Sequence, residues 1–152
     1  MRILTVRQPW AWAIIHGGKD VENRVRNIAG DYRGPVAVHV AQKAADVTYA
    51  HYRQVERAGY DALAPQHEGH IIGVVDLVDV TPWTSFVDQP TEEAPWIMRR
   101  VPRTPVGWEL RDHWHLRLAN PRPLTEPIPF RGSLGLRALD PETTALLNER
   151  LT

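Results

Sequence analysis

A short stretch near the start of the chain concentrates side chains that can do chemistry. Gly17 and Gly18 are followed directly by Lys19, and Glu22 and Arg24 come soon after. Glycine lets the backbone take left-handed φ angles or approach a ligand closely. Lysine and arginine donate hydrogen bonds, and a carboxylate accepts them or takes up a proton. This stretch therefore predicts a pocket for a polar ligand.

Three residues just before this stretch suit a nucleotide. Arg7, like Arg24, can bind a phosphate or a planar base through two parallel hydrogen bonds. Gln8 offers the donor and the acceptor that the edge of a base needs, although it would equally cap the helix that follows. Trp10 would either stack on a base or be buried in the core. The predicted ligand-binding residues are Arg7, Gln8, Trp10, Lys19 and Arg24.

One further carboxylate lies inside the strongest predicted strand. Residues 71–80 are rich in β-branched side chains and apolar on both faces, so this strand is predicted to be central in a sheet. Within it, Asp76 would be costly to bury unless it is paired or faces a ligand. Lys19 with Glu22 or Asp76 could form an ion pair that closes the mouth of a barrel, or could belong to an active site. The sequence leaves both interpretations open.

Short strands and a few helices are predicted to position these residues. The predicted strands are residues 3–6, 21–26, 35–41, 71–80, 113–119 and 134–139. The predicted helices are residues 10–16, residues 47–58 with Asp46 as N-cap, and a terminal helix that opens at Asp140 and Pro141. The pattern predicts an α+β fold, a small mixed β-barrel flanked by two to three helices.

Two proline-rich segments interrupt this pattern. Five prolines between residues 81 and 107 predict a long irregular segment, which also carries Trp83, Trp96 and a local run of arginines. Long loops of this kind are commonly lids or binding surfaces. Residues 120–129 hold four more prolines and are predicted to form an extended edge or a loop.

Composition limits the class of protein. With 152 residues, 43% of them hydrophobic, the chain has enough apolar material for one core, and we predict a single domain over residues 1–152. The absence of cysteine excludes disulfides, a thiolate nucleophile and a zinc ribbon. A formal net charge of zero provides no global attraction to nucleic acid, so binding of that kind must be local.

The remaining sequence signals concern location and metals. The first apolar run is too short for a signal peptide or a membrane span, so we expect a cytoplasmic protein with no membrane partner. The histidine pairs His67/His70 and His113/His115 lack a third ligand at a standard spacing. Neither a metal nor a cofactor is predicted.

Several motifs together resemble the ASCH domain family. They are the run LTVRQPWA at residues 4–11, the pattern GxKxxExR at residues 17–24, and GVVDL at residues 73–77. The stretch from residue 120 to 132 also resembles the C-terminal part of the longer ASCH proteins, so the resemblance covers nearly the whole chain. It implies a β-barrel of the PUA-like superfamily, with a cleft for RNA or a modified nucleoside or nucleotide as the partner.

The resemblance also implies two enzymatic alternatives, since family members include a ribonuclease and an amidohydrolase that removes the acetyl group from acetylcytidine. The proposed catalytic set of the amidohydrolase falls on Lys19, Glu22 and Asp76, but Glu22 stands where that enzyme has a threonine. A threonine nucleophile is therefore lost, whereas a water activated by Glu22 and an oxyanion stabilised by Lys19 would retain hydrolysis. A third alternative is a protein-interaction module that uses the tryptophan- and proline-rich residues 82–108.

Overall fold

A curled sheet of six strands is the framework of the structure, a computed structural model that describes residues 1–151. Two further strands form a separate hairpin. In chain order the strands are β1 (Arg2–Val6), β2 (Val21–Arg24), β3 (Gly34–Val40), β4 (His70–Thr81), β5 (Phe86–Pro90), β6 (Met98–Pro102), β7 (Trp114–Pro129) and β8 (Leu136–Ala138).

The six strands lie in the order β2, β7, β4, β3, β1, β8 and curl into a half-barrel. β1 and β3 are parallel, while every other neighbouring pair is antiparallel. The prediction that residues 71–80 form a central strand is confirmed, because β4 lies between β7 and β3. The α+β fold class and the small PUA-like barrel with its flanking helices are likewise confirmed.

Three helices flank the sheet: α1 (Trp10–His16), α2 (Tyr49–Arg57) and α3 (Pro141–Arg150). Among residues 1–151, no helix is long and apolar enough to cross a membrane. The predicted cap of the terminal helix is confirmed, because the Asp140 carboxylate accepts a hydrogen bond of 2.7 Å from the Thr143 N–H. The predicted cap at Asp46 is wrong. Thr48 has the extended backbone of a cap and accepts a hydrogen bond from the His51 N–H, so α2 begins two residues later than expected.

The sheet is buried on both faces, and the alternation of β3 shows how. Val36, Val38 and Val40 belong to the core that α1 covers, together with Ile14 and Ile15 of that helix. Ala37, between these valines, belongs to a second core on the other face, which α3 covers through Leu147. Successive side chains of a strand point to opposite faces, so one strand serves both cores. The position of α1, and therefore of the residues at its two ends, is fixed by the first core.

Both proline-rich segments are more regular than predicted. Residues 86–102 contain the hairpin of β5 and β6, which pair from Phe86 with Pro102 to Pro90 with Met98. Pro90 and Pro102 end their strands, where a missing N–H disturbs the ladder least. Residues 120–129 continue β7 along β4, and the register shifts between Ile71 and Gly73 and again near Asp76 accommodate prolines in a paired strand.

The packing of α1 on the sheet gives a test of this architecture. Ile14 is 1% exposed, so Ile14→Ala is expected to lower the free energy of unfolding by about 2–5 kcal/mol through the cavity it leaves. Ile97, which is 53% exposed on the hairpin side of the molecule, is the matched control, and Ile97→Ala is expected to change little. Urea unfolding followed by circular dichroism measures both; equal losses would contradict the assignment of Ile14 to the core.

Candidate functional site

The end of α1 turns Lys19 into the protein interior. The backbone N–H groups of Gly17 and Lys19 both donate to Ala13 O, and Gly18 between them has a φ of +72°, which favours glycine. Lys19 is 5% exposed. Its Nζ donates to Val21 O and to Glu22 Oε2, the latter at 3.2 Å. The same Nζ lies 5.8 Å from the centre of the Trp10 ring, within reach of a cation–π interaction.

Glu22 is the centre of a buried charge network. The Arg24 Nε donates to its other carboxylate oxygen, Oε1, at 3.1 Å, so Lys19 and Arg24 share one carboxylate. Arg24 Nη2 donates to Thr5 O at 2.9 Å. Because β2 is one edge of the sheet and β1 lies next to the other edge, Arg24 joins opposite sides of the half-barrel. The network therefore connects the two sides of the half-barrel through ion pairs and a hydrogen bond.

A cavity of about 340 Å³ opens beside this network. Its walls include two indole rings, those of Trp10 and Trp108, whose centres are 6.2 Å apart at an interplanar angle of 79°. The His51 ring contacts Trp10 edge-on at 5.7 Å. Lys19 and Glu22 contribute polar groups. The lining is completed by Asn23, Asp46, Thr48, Gln54, Gly107, Glu109 and Leu110.

Glu109 is the second buried carboxylate at this cavity, with 8% exposure. Arg103 donates to both of its oxygens at 2.9 and 3.0 Å, and Arg117 donates to one at 2.7 Å. Burial alone raises the pKa of Glu109, but the Arg117 and Val106 N–H hydrogen bonds and the charges of the two arginines outweigh it. The pKa of Glu109 is consequently below its ordinary value, and the group is a carboxylate at neutral pH.

Asp76 lies apart from the Lys19 and Glu22 cluster. Its carboxylate accepts two hydrogen bonds from Arg122, at 2.7 and 3.1 Å, and one from Asn120 at 3.0 Å. The hydrogen bonds from Arg122 and Asn120 lower the pKa of Asp76. The structure thus brings together two members of the predicted catalytic set, Lys19 and Glu22, and places Asp76 in a separate ion pair.

Three of the predicted ligand-binding residues lie outside the cavity lining: Arg7, Gln8 and Arg24, of which Arg24 pairs with Glu22 beside the cavity. Gln8 accepts a hydrogen bond from the Trp12 N–H and donates to Gln66 O, both at 2.9 Å, so it serves the first turn of α1. Its side chain lines a second cavity on the other side of that helix. Arg7 is exposed, and no ion pair links it to a carboxylate within residues 1–151. Its carbonyl accepts the Trp10 N–H at 3.0 Å, which places Arg7 one turn before the aromatic wall.

Sequence reasoning missed Trp108 and Asn23. Trp108 follows Gly107 at the end of the proline-rich segment, and this glycine before an aromatic residue was the available signal. Asn23 is hidden inside the GxKxxExR pattern at one of its unspecified positions. As for metals, no group of three or more histidine, aspartate or glutamate side chains in residues 1–151 is arranged to hold an ion.

A comparison with known protein families matches residues 4–127 to the ASCH domain. The match covers most of the 152 residues and includes the whole of the Lys19, Glu22 and Arg24 network. The chain therefore belongs to the ASCH domain family, and its curled sheet agrees with the PUA-like barrel of that class.

The shared carboxylate makes a direct prediction for stability. Glu22→Gln keeps the shape of the side chain but leaves Lys19 and Arg24 without their counter-charge, so it is expected to lower the free energy of unfolding by about 3–5 kcal/mol. Glu56, whose carboxylate pairs with Arg53 at the surface, is the matched control. Glu56→Gln is expected to change little because exposed pairs contribute little. Similar effects of the two variants in chemical denaturation would contradict the buried network.

The environment of Glu109 predicts a pH dependence. Its pKa is lower in the folded protein than its ordinary value of 4.5, so its stabilisation is fully present above that value and is lost as pH falls through the folded pKa. The difference in unfolding free energy between the wild type and Glu109→Gln is therefore expected to shrink as the buffer is taken from about pH 6 to about pH 3. Urea titrations at each pH measure it. A constant difference over this range would rule out the carboxylate as its source.

Proposed function

We propose that the cavity bounded by Trp10, Lys19 and Trp108 binds a base of single-stranded RNA, or a modified nucleoside, without turnover. Membership of the ASCH family supports nucleic acid as the general class of ligand. The observation that carries the proposal is the corner formed by Trp10 and Trp108 beside the buried Lys19 and Glu22 pair. Aromatic side chains with nearby polar groups are how proteins hold unstacked bases.

The size and shape of the cavity support this choice of ligand. Its volume of about 340 Å³ is within the range of small-molecule sites. Because the two indole planes are nearly perpendicular, a flat ring that stacks on one of them points its own edge at the face of the other. Aromatic rings favour both arrangements over an exact face-to-face sandwich. A planar heterocycle therefore gains contact from both walls.

The polar lining supports recognition of a base edge. Gln54 contributes an amide with a donor and an acceptor, and Asp46 at the mouth contributes a carboxylate. Lys19 and Arg24 share the single carboxylate of Glu22, and they already donate to it and to the carbonyls of Val21 and Thr5, so few of their N–H groups are left for a phosphate. The exposed Arg7 is the cation suited to the phosphate of a bound strand. This division, base inside and phosphate outside, is typical of single-strand recognition.

Binding without turnover is favoured over hydrolysis by the positions of the carboxylates. A hydrolase built on Lys19, Glu22 and Asp76 needs all three within reach of one substrate atom. Asp76 is engaged by Arg122 and Asn120, and Glu22 accepts hydrogen bonds from two cations. A general base must reach the proton that it removes, and Asp76, held by Arg122 and Asn120, does not line the cavity beside Lys19 and Glu22.

The proposal predicts which tryptophans contribute to affinity. Trp10→Ala and Trp108→Ala are each expected to weaken binding of a short single-stranded RNA by about 1–3 kcal/mol, the contribution of one stacked base. Trp96, which is 82% exposed on the hairpin side, is the matched control, and Trp96→Ala is expected to leave affinity unchanged. Fluorescence anisotropy of a labelled oligonucleotide at modest salt, with competition by a panel of nucleosides, measures all three variants.

The outcomes separate the interpretations. No binding by the wild type, or equal losses for Trp10→Ala and Trp96→Ala, would reject the cavity as the RNA site. Incubation with acetylcytidine followed by chromatography tests the amidohydrolase alternative. Release of cytidine would show that the site is catalytic and would reject binding without turnover. Gel analysis of the oligonucleotide tests the ribonuclease in the same way. An unchanged nucleoside and an intact oligonucleotide are the results expected here.

A further inference from the structure

The wall that carries Trp108 does not belong to the sheet. Residues 103–110, here called the 103–110 loop, follow β6 and form no strand or helix. The hairpin before it pairs only with itself in the sheet topology of the described residues. Four loop residues line the cavity, Gly107 to Leu110. Because neither the sheet nor the hairpin ladder holds this wall, its position depends on side-chain contacts.

Asn23 hydrogen-bonds directly to the backbone of Trp108. Its Nδ2 donates to Trp108 O at 2.9 Å, and its Oδ1 accepts the Leu110 N–H at 2.9 Å. Both polar atoms of one amide therefore bind backbone groups on the two sides of Glu109. An amide used in this way reproduces the paired hydrogen bonds of a neighbouring strand. Asn23 extends β2 sideways to the loop, between the Glu22 and Arg24 positions of the charge network.

Glu109 attaches the same loop to the rest of the protein through its side chain. Its buried carboxylate binds Arg103 at the start of the loop, Arg117 on β7 and the Val106 N–H within the loop at 3.2 Å. These contacts hold the loop onto β7. They do not bind Trp108 O or the Leu110 N–H, which are bound by Asn23. Glu109 thus sets where the loop attaches, and Asn23 sets the orientation of the residue that faces the cavity.

We propose that Asn23 is a positioning residue that holds the Trp108 indole at right angles to Trp10 and so sets the affinity for the base bound there. The inference rests on the proposed function of the cavity. Asn23 also lines the cavity, but both polar atoms of its side chain bind the loop backbone, so we assign its effect on affinity to the position of Trp108. Its removal frees Trp108 O and the Leu110 N–H, which must then find water, and the wall residue loses its fixed geometry.

The hold of Asn23 on the 103–110 loop is tested first, without any ligand. Asn23→Ala is expected to speed hydrogen exchange of the Leu110 amide by about tenfold or more, since the amide loses its only acceptor in the described structure. Exchange of the Val75 amide in β4 should not change. Asn27 is the matched control, because its side chain also makes two hydrogen bonds to backbone groups, accepting the Ala29 and Gly30 N–H groups away from the cavity. Unchanged exchange at Leu110 in Asn23→Ala would overturn the claim that Asn23 holds the loop.

The positioning role is tested with labelled single-stranded RNA of mixed sequence. Asn23→Ala is expected to weaken binding by about fivefold to 100-fold, and the double variant with Trp108→Ala should bind no worse than Trp108→Ala alone. Asn23→Asp keeps the acceptor for Leu110 but sets a carboxylate oxygen against Trp108 O, so it should bind no better than Asn23→Ala. Asn27→Ala should bind like the wild type.

The two failures are distinguishable. If the wild type binds RNA and Asn23→Ala binds it equally well, or if the losses of Asn23→Ala and Trp108→Ala add, the positioning role is overturned while the RNA site stands. If no variant and no wild-type protein binds RNA, the proposed function fails and the positioning role fails with it. The hydrogen-exchange result then still decides whether Asn23 holds the loop.

Discussion

The carboxylate of Glu22 is the group on which both the barrel and the cavity depend. It is buried, and a buried carboxylate is costly unless cations and hydrogen bonds compensate its lost hydration. Lys19 and Arg24 provide that compensation, and each also donates to a backbone carbonyl elsewhere. Through these contacts one side chain joins the end of α1, the edge strand β2 and the end of β1. A single buried charge therefore determines how three separate elements meet.

Of the two interpretations that the sequence left open, the ion pair of Lys19 with Glu22 is present in the structure. The pair belongs to the charge network that connects the two sides of the half-barrel. Both residues also line the cavity beside that network. A cavity wall built from a buried ion pair resists displacement, because moving either group leaves an unpaired charge in a buried position. Asp76, with Arg122 and Asn120, satisfies its own charge elsewhere on the sheet.

Local patterns in the sequence predicted the parts of the fold that local physics decides. The apolar run of β4, the glycines after α1 and the cap at Asp140 each act over a few residues, and the structure agrees with them. The cap of α2 was misplaced because Asp46 and Thr48 are both good caps and only the tertiary path of the chain selects one. The hairpin was missed because prolines at strand ends read like prolines in loops.

Long-range contacts explain what the sequence could not indicate at the site. Lys19, Glu22 and Arg24 were predictable as a cluster because they lie within six residues of one another. Trp108 reaches the cavity through Asn23, 85 positions away, and Asp76 meets Arg122 across 46 positions. No periodicity encodes such pairs; they follow from the order of strands in the sheet. The cavity beside the charged cluster was likewise not predictable, because one of its walls is Trp108, far away in the sequence.

The separate pairing of β5 and β6 has a consequence for how this chain can diverge. Their hydrogen bonds leave the register of the six-strand sheet untouched, so residues added or removed at the turn between them shift no pairing elsewhere. Loop closure makes such length changes inexpensive in free energy. The turn of the hairpin can thus change in length and surface while β2, α1 and the buried carboxylate between them keep their geometry.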